Sequence, residues 1–194
     1  MRASSQAAAP PQARALRRDA RRNAERILDS AREVFGESGA DACIEEIAAR
    51  AGVGVGTVYR RFASKGALMD ELLRVALEDL IAAADQALAR DDGHGLEYLL
   101  RAFGQSFADH AGYANLLLGR QHDPADARRL RDAIAELTAR AVAGGTVGPG
   151  AELGDVMALI SAMRGLVHGP DAENTDVWAR FPDIHLAGLR RTSG

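Results

Sequence analysis

The stretch from Ile44 to Leu68, IEEIAARAGVGVGTVYRRFASKGAL, constrains the fold more than any other part of the chain. Ile44, Ile47, Ala48 and Ala51 recur at 0, 3, 4 and 7, the apolar side of a short helix. Gly52 then stands where a helix C-terminus needs a residue free to take positive φ. Val53 is placed to plug the gap between two helices, and Val58 and Phe62 give the second one an apolar side. Ala48 is small where the helices must cross at close range. This spacing predicts a helix-turn-helix, whose second helix can lie in the major groove of DNA.

The outward residues of that second helix carry the chemistry. Thr57 offers a hydroxyl, Tyr59 a phenol, and Arg60 and Arg61 guanidiniums that can fork onto phosphates or guanine edges. Ser64 is placed to cap the next helix. Lys65, the only lysine beside 23 arginines, sits in its first turn, where a cation opposes the helix dipole. It reads either as a solvated basic helix start or as a contact to a phosphate, and the arginines before it favour the phosphate.

The run Gly52-Val53-x-x-Gly56-Thr57-Val58-Tyr59-x-x-Phe62-x-Ser64-Lys65-x-x-Leu68 resembles the DNA-binding domain of TetR-type transcriptional regulators. The resemblance covers about residues 22 to 72. It implies an all-α homodimer, with a three-helix DNA-binding domain ahead of a larger domain that binds an effector and dimerises. By position, Val55, Gly56, Thr57 and Arg60 would face bases, and Thr57, Tyr59, Arg61 and Lys65 would touch sugar-phosphate. Two positions depart from the family pattern. Cys43 stands where a Ser or Thr usually caps the helix and reaches a phosphate, and Gly54 replaces the polar residue that usually opens the recognition helix.

Charge divides the chain the same way. Residues 1–66 hold 12 Arg/Lys against 8 Asp/Glu, and residues 67–194 hold 12 against 19, which together give the net −3. A basic front and an acidic back suit a protein that meets nucleic acid at one end. The single cysteine excludes an internal disulfide framework and fits a reducing cytosol. No apolar run approaches the roughly 18 residues of a membrane span, so a cytoplasmic location without membrane contact is expected.

Three regions follow: a disordered basic tail over 1–20, the DNA-binding domain over 21–66, and the effector-binding and dimerisation domain over 67–194. The tail ends in Arg14, Arg17, Arg18, Arg21 and Arg22, either a solubilising leader or an arm that adds phosphate or minor-groove contacts. Ala24, Ile27, Leu28, Ala31, Val34 and Phe35 mark a first helix that ends near Gly39. A long helix from Leu68 to about Arg90 is apolar over so wide a side that it must serve both domains. Further helices are expected over 96–110, around 113–119, over 124–143, 152–168 and 176–191. The last two mix large and small residues, which suits close packing against a second copy.

Little else carries chemistry. The glycines at 52, 54 and 56 miss the third position of a dinucleotide loop, and no strand precedes them. The five histidines show no metal-ligand spacing, and no cofactor is expected. Cys43 reads as a small packing residue or as a helix-N-terminal thiol open to oxidants. The resemblance implies a pocket for a small, usually apolar effector among the C-terminal helices, for which Phe103, Phe107, Leu116, Leu117, Met157, Ile160 and Trp178 are the candidate lining, with Arg164, Asn115 or Ser106 as polar anchors. All the apolar members can equally be plain core, and Arg164, a charge in an apolar helix, needs either a carboxylate or a ligand. The expected function is a ligand-responsive repressor on a palindromic operator. The alternative is a small-molecule-binding or enzymatic helical bundle with a vestigial helix-turn-helix.

Overall fold

The computed structural model describes residues 11–110, 113, 120, 123–166 and 175–190, with side chains over 18–110, at 113 and 120, and over 123–166 and 180–188. Among them are eight α-helices, one 3-10 turn and no strand. These are α1 (Pro11–Ser38), the turn (Gly39–Asp41), α2 (Ile44–Ala51), α3 (Val55–Arg61), α4 (Lys65–Leu88), α5 (Gly95–His110), α6 (Pro124–Ala143), α7 (Leu153–Leu166) and α8 (Thr175–Arg190).

Capping chemistry sets several boundaries. The Ser64 hydroxyl accepts from the Ala67 N–H at 3.1 Å, and the Asp123 carboxylate accepts from the Ala125 N–H at 2.8 Å, with Pro124 at the first position of α6. Helix α1 corrects one expectation. It starts at Pro11, so residues 11–20 are helical where disorder was expected. Proline suits a first helical position, and the Ala, Arg and Leu that follow are strong helix formers. The tail over 1–10 and the short helix expected around 113–119 lie outside the described residues, apart from Tyr113. Pro182 sits buried inside α8, which continues through it.

The apolar stripes close two separate cores. Ile27, Val34 and Phe35 of α1, Ile47 of α2, Val58 of α3 and Leu68 and Leu72 of α4 fill the first. Leu99 and Leu100 of α5, Ile134 and Leu137 of α6, Val156 and Met163 of α7 and Leu186 of α8 fill the second. Each such side chain contributes roughly 1.5–3 kcal/mol by leaving water. Helix α4 belongs to both, through Leu68, Met69 and Leu72 at one end and Leu80, Ala84 and Ala87 at the other. Its second half meets α5 and α6 closely: a Cβ on Gly95 would stand 2.6 Å from the Ala87 carbonyl oxygen and 2.8 Å from Leu137.

Candidate nucleic-acid interface

The recognition unit is built on its turn. Gly52 takes φ 63° and ψ 38°, the left-handed conformation that an L side chain resists. The Val53 N–H returns to the Ala48 carbonyl at 3.0 Å and closes α2. The Gly54 carbonyl then accepts from the Thr57 N–H at 2.7 Å, which opens α3. Val58 and Phe62 are buried and pin α3 to the first core, so the rest of its surface faces out.

That surface holds most of the residues expected there. Gly56, Arg60 and Arg61 are exposed, Tyr59 is 47% exposed, and Val55 and Thr57 are half-buried. A Cβ on Gly56 would meet nothing within 4 Å, so no packing within the chain demands glycine. Its absence leaves the backbone open to approach from outside. Arg60 Nη2 donates to Thr57 Oγ1 at 2.9 Å, which leans the guanidinium along the helix while most of its five N–H donors stay available. The Arg61 guanidinium lies 5.3 Å from the centre of the Phe62 ring.

Two of the expected contact residues, Lys65 and Cys43, stand in surroundings that the sequence does not show. Lys65 Nζ donates to the carbonyl oxygens of Ala40 and Ala42, both at 2.6 Å, and lies 5.6 Å from the centre of the Phe35 ring. The ammonium therefore caps the turn between α1 and α2 and has one N–H left for a phosphate. Cys43 is the N-cap of α2, but its side chain makes no capping bond, and it is exposed, unlike a small packing residue.

Three ties that sequence reasoning missed hold this surface in place. Arg50 forks onto Glu37 at 2.7 and 2.8 Å, with Glu46 at 3.4 Å, and fixes the end of α2 to α1. That hydrogen bonding holds the Glu37 carboxyl below the usual carboxylate range. Arg120 Nη2 donates to the Gly66 carbonyl at 2.8 Å and Nε to Asp70 at 2.5 Å, so the C-terminal bundle grips the first turns of α4. Tyr113 also comes from the bundle's part of the chain, yet it is 2% exposed inside the first core. Its ring lies 6.0 Å from Phe35 and edge-on to His110 at 5.5 Å. Its hydroxyl makes no well-formed hydrogen bond among the described residues, and the Arg32 side chain is only a weak donor to it. Burial pushes the phenol pKa well up, and Arg32 pulls it back only in part.

The expected effector residues are brought together only in part. Phe103 and Ile160 are buried and Phe107 and Met157 half-buried in the second core, with the two phenyl rings 6.0 Å apart. Leu116, Leu117, Asn115 and the Trp178 side chain lie outside the described residues. Ser106 is half-buried, and its carbonyl accepts from His110 Nδ1. Arg164 is exposed on α7, so it needs no buried partner, contrary to expectation. Two clefts open elsewhere. One, of about 370 Å³, lies between α4 and the start of α6, lined by Leu73, Leu77, Asp123 and Asp126. The other, of about 730 Å³, lies between α1 and α4, and Arg61 is among the residues that line it. No helix among the described residues is long and apolar enough to cross a membrane.

Comparison with known proteins agrees with this geometry. Residues 27–72 match the family model of bacterial regulatory proteins, tetR family. A TetR transcription regulatory protein from Mycobacterium vanbaalenii is similar at 30% identity over 90% of this chain and 99% of its own, with a TM-score of 0.67. A TetR transcriptional regulator from Streptomyces coelicolor is similar at 28% identity over 88% of this chain and 99% of its own, with a TM-score of 0.66. The regulator PfmR from Thermus thermophilus, 22% identical over 85% of this chain and 99% of its own, shares the fold with a TM-score of 0.65. No curated protein matches. A helix-turn-helix on a two-core helical body, matched over nine-tenths of its length by a relative of this kind, identifies the chain as a member of the TetR family of transcriptional regulators.

Proposed function

We propose that the chain is a cytoplasmic, homodimeric repressor that leaves a palindromic operator when a small molecule binds the C-terminal bundle. The outward face of α3 supports this most directly: Gly56, Thr57, Tyr59, Arg60 and Arg61 stand clear of the core that Val58 and Phe62 enter. Arg60 is the direct reader, a fork onto guanine, beside Val55 and Gly56, which admit a thymine methyl or a close backbone. Thr57, Tyr59 and Arg61 hold sugar-phosphate, with Cys43 at the open end of α2 and the last N–H of Lys65 beside them.

A helix of seven residues spans about two turns and reaches few base pairs, so two copies are needed for specific affinity. The outer sides of α7 and α8 suit that pairing. Gly154, Ala158, Ser161, Ala162 and Gly165 form an exposed strip of small residues on α7, and Ile184 is 59% exposed on α8 near exposed Ala187 and Gly188. Such surfaces allow close approach of a second bundle. An effector among Phe103, Phe107, Met157 and Ile160 would displace α4, Tyr113 and Arg120, and so change the separation of the two α3 helices.

Selection from random duplex DNA, followed by binding at several salt concentrations, tests the reading. An inverted repeat with half-site centres about 34–36 Å apart, or a multiple of it, is expected. A single asymmetric site, or no salt-dependent binding at all, would overturn it.

A further inference from the structure

We infer that the N-terminal part of α1 is a second DNA-binding element, a basic helix that lies along the phosphates flanking each half-site. This rests on the reading of α3 as the recognition helix. Helix α1 begins at Pro11; among its described side chains, those from residue 18 on, the first buried one is Ala24, and residues 18–22 are all exposed. About 20 Å of helix, at 1.5 Å per residue, lies ahead of Ala24. Residues 11–23 carry Arg14, Arg17, Arg18, Arg21 and Arg22 against a single acid, Asp19. Positions 14, 17, 18, 21 and 22 follow i, i+3, i+4, i+7 and i+8, one side of a helix. A helix side that carries five arginines has a polyanion as its natural partner.

Its position selects duplex DNA. Arg21 lines the same cleft as Arg61, the last residue of α3, so the arginine side of the extension continues the basic end of the recognition helix. Five residues on, Arg26 lies against the turn between α2 and α3, where its Nη2 would stand 2.6 Å from a Cβ on Gly52. The extension thus leaves the fold beside α3. The ion pair seen on it among the described residues is the exposed Arg21–Glu25 contact at 2.9 Å, which a phosphate can displace. Within the cleft, Arg32 and Arg74 are held by Asp29, Glu71 and Glu78 and contribute less.

The test compares the full chain with two variants: one lacking residues 2–20, which removes no described buried side chain, and one with Arg14, Arg17, Arg18 and Arg21 each changed to Gln. Affinity is measured between 50 and 200 mM salt for the selected operator, with ten flanking base pairs on each side and with none. Three phosphate contacts correspond to a difference of about 2.7 in slope, so the advantage of the full chain should shrink about 40-fold across that range. Trimming the flanks should erase the advantage, and the base preference of the operator should not change. Equal slopes for full chain and variants would overturn the inference while leaving the α3 reading intact. Loss of salt-dependent binding by the full chain would overturn both. Binding to phosphatidylserine vesicles with no effect of DNA flanks would overturn it in favour of a membrane surface.

Discussion

Tyr113→Phe should stabilise the protein. The ring fills space in the first core against Phe35 and His110, and phenylalanine keeps that ring. Only the hydroxyl is lost, and it is buried without a well-formed hydrogen bond among the described residues, Arg32 being only a weak donor to it. An unsatisfied polar group of this kind costs about 1–3 kcal/mol, so the gain should be roughly 1–2 kcal/mol. For a chain of this size that corresponds to a rise in Tm of about 3–6 °C. Tyr113→Ala, which leaves a cavity as well, should instead cost about 3–5 kcal/mol. Urea unfolding followed by circular dichroism reads both. A loss of about 1 kcal/mol or more in the Phe variant would show that the hydroxyl is paired in solution, and the account of the buried phenol would fail.

Lys65→Met should destabilise the fold by about 2 kcal/mol in the same assay, because it removes two charge-assisted bonds to the Ala40 and Ala42 carbonyls. Unchanged stability would place the ammonium in solvent. Arg60→Ala should relax one G·C pair per half-site in a random-DNA selection, with a loss of about 1–3 kcal/mol on the preferred operator; an unchanged consensus would remove Arg60 from base readout. Ala162→Glu, on the exposed strip of α7, should leave helix content intact and convert dimer to monomer in sedimentation; a persisting dimer would place the interface elsewhere.

Much of the recognition unit is legible in the residues because its determinants are local. Gly52 closes α2 through its own φ, Ser64 caps α4 three residues ahead of the N–H it binds, and Asp123 with Pro124 opens α6. Lys65 is legible as a cation and not as a cap, since its carbonyl partners lie 23 and 25 residues away in sequence. Its charge suggests an anion from outside, and the fold supplies carbonyl oxygens from inside. The start of α1 is hard to read because a polar, proline-led run resembles a linker, while its Ala and Arg content favours helix. Arg164 shows the limit of periodicity on α7, where small residues make an outward face look like an inward one. For Phe103 and Ile160, a core filler and a pocket lining share one sequence signature.

Arg120→Ala separates fixing the position of α4 from folding it. The Gly66 carbonyl that Arg120 holds also lies within the helix, so the first turn of α4 does not depend on this contact. Asp70, the other partner, is 55% exposed, so the ion pair contributes below about 1 kcal/mol after screening. Global stability should therefore fall only slightly. The position of α4 should respond more, because Arg120 is the described hydrogen-bonding tie from the bundle to the end of α4 that follows α3, at residues 66 and 70. Only three residues separate α3 from α4, so movement of that end moves the recognition helix. In a dimer, looser placement of two such helices widens the range of half-site separations they accept. Operators with one base pair added or removed between half-sites should bind the variant almost as well as the selected operator, while the unaltered chain discriminates against them. Competition binding on the three duplexes measures this. Equal discrimination by both proteins would show that α4 is positioned by its two cores alone, and that Arg120 is only a surface pair.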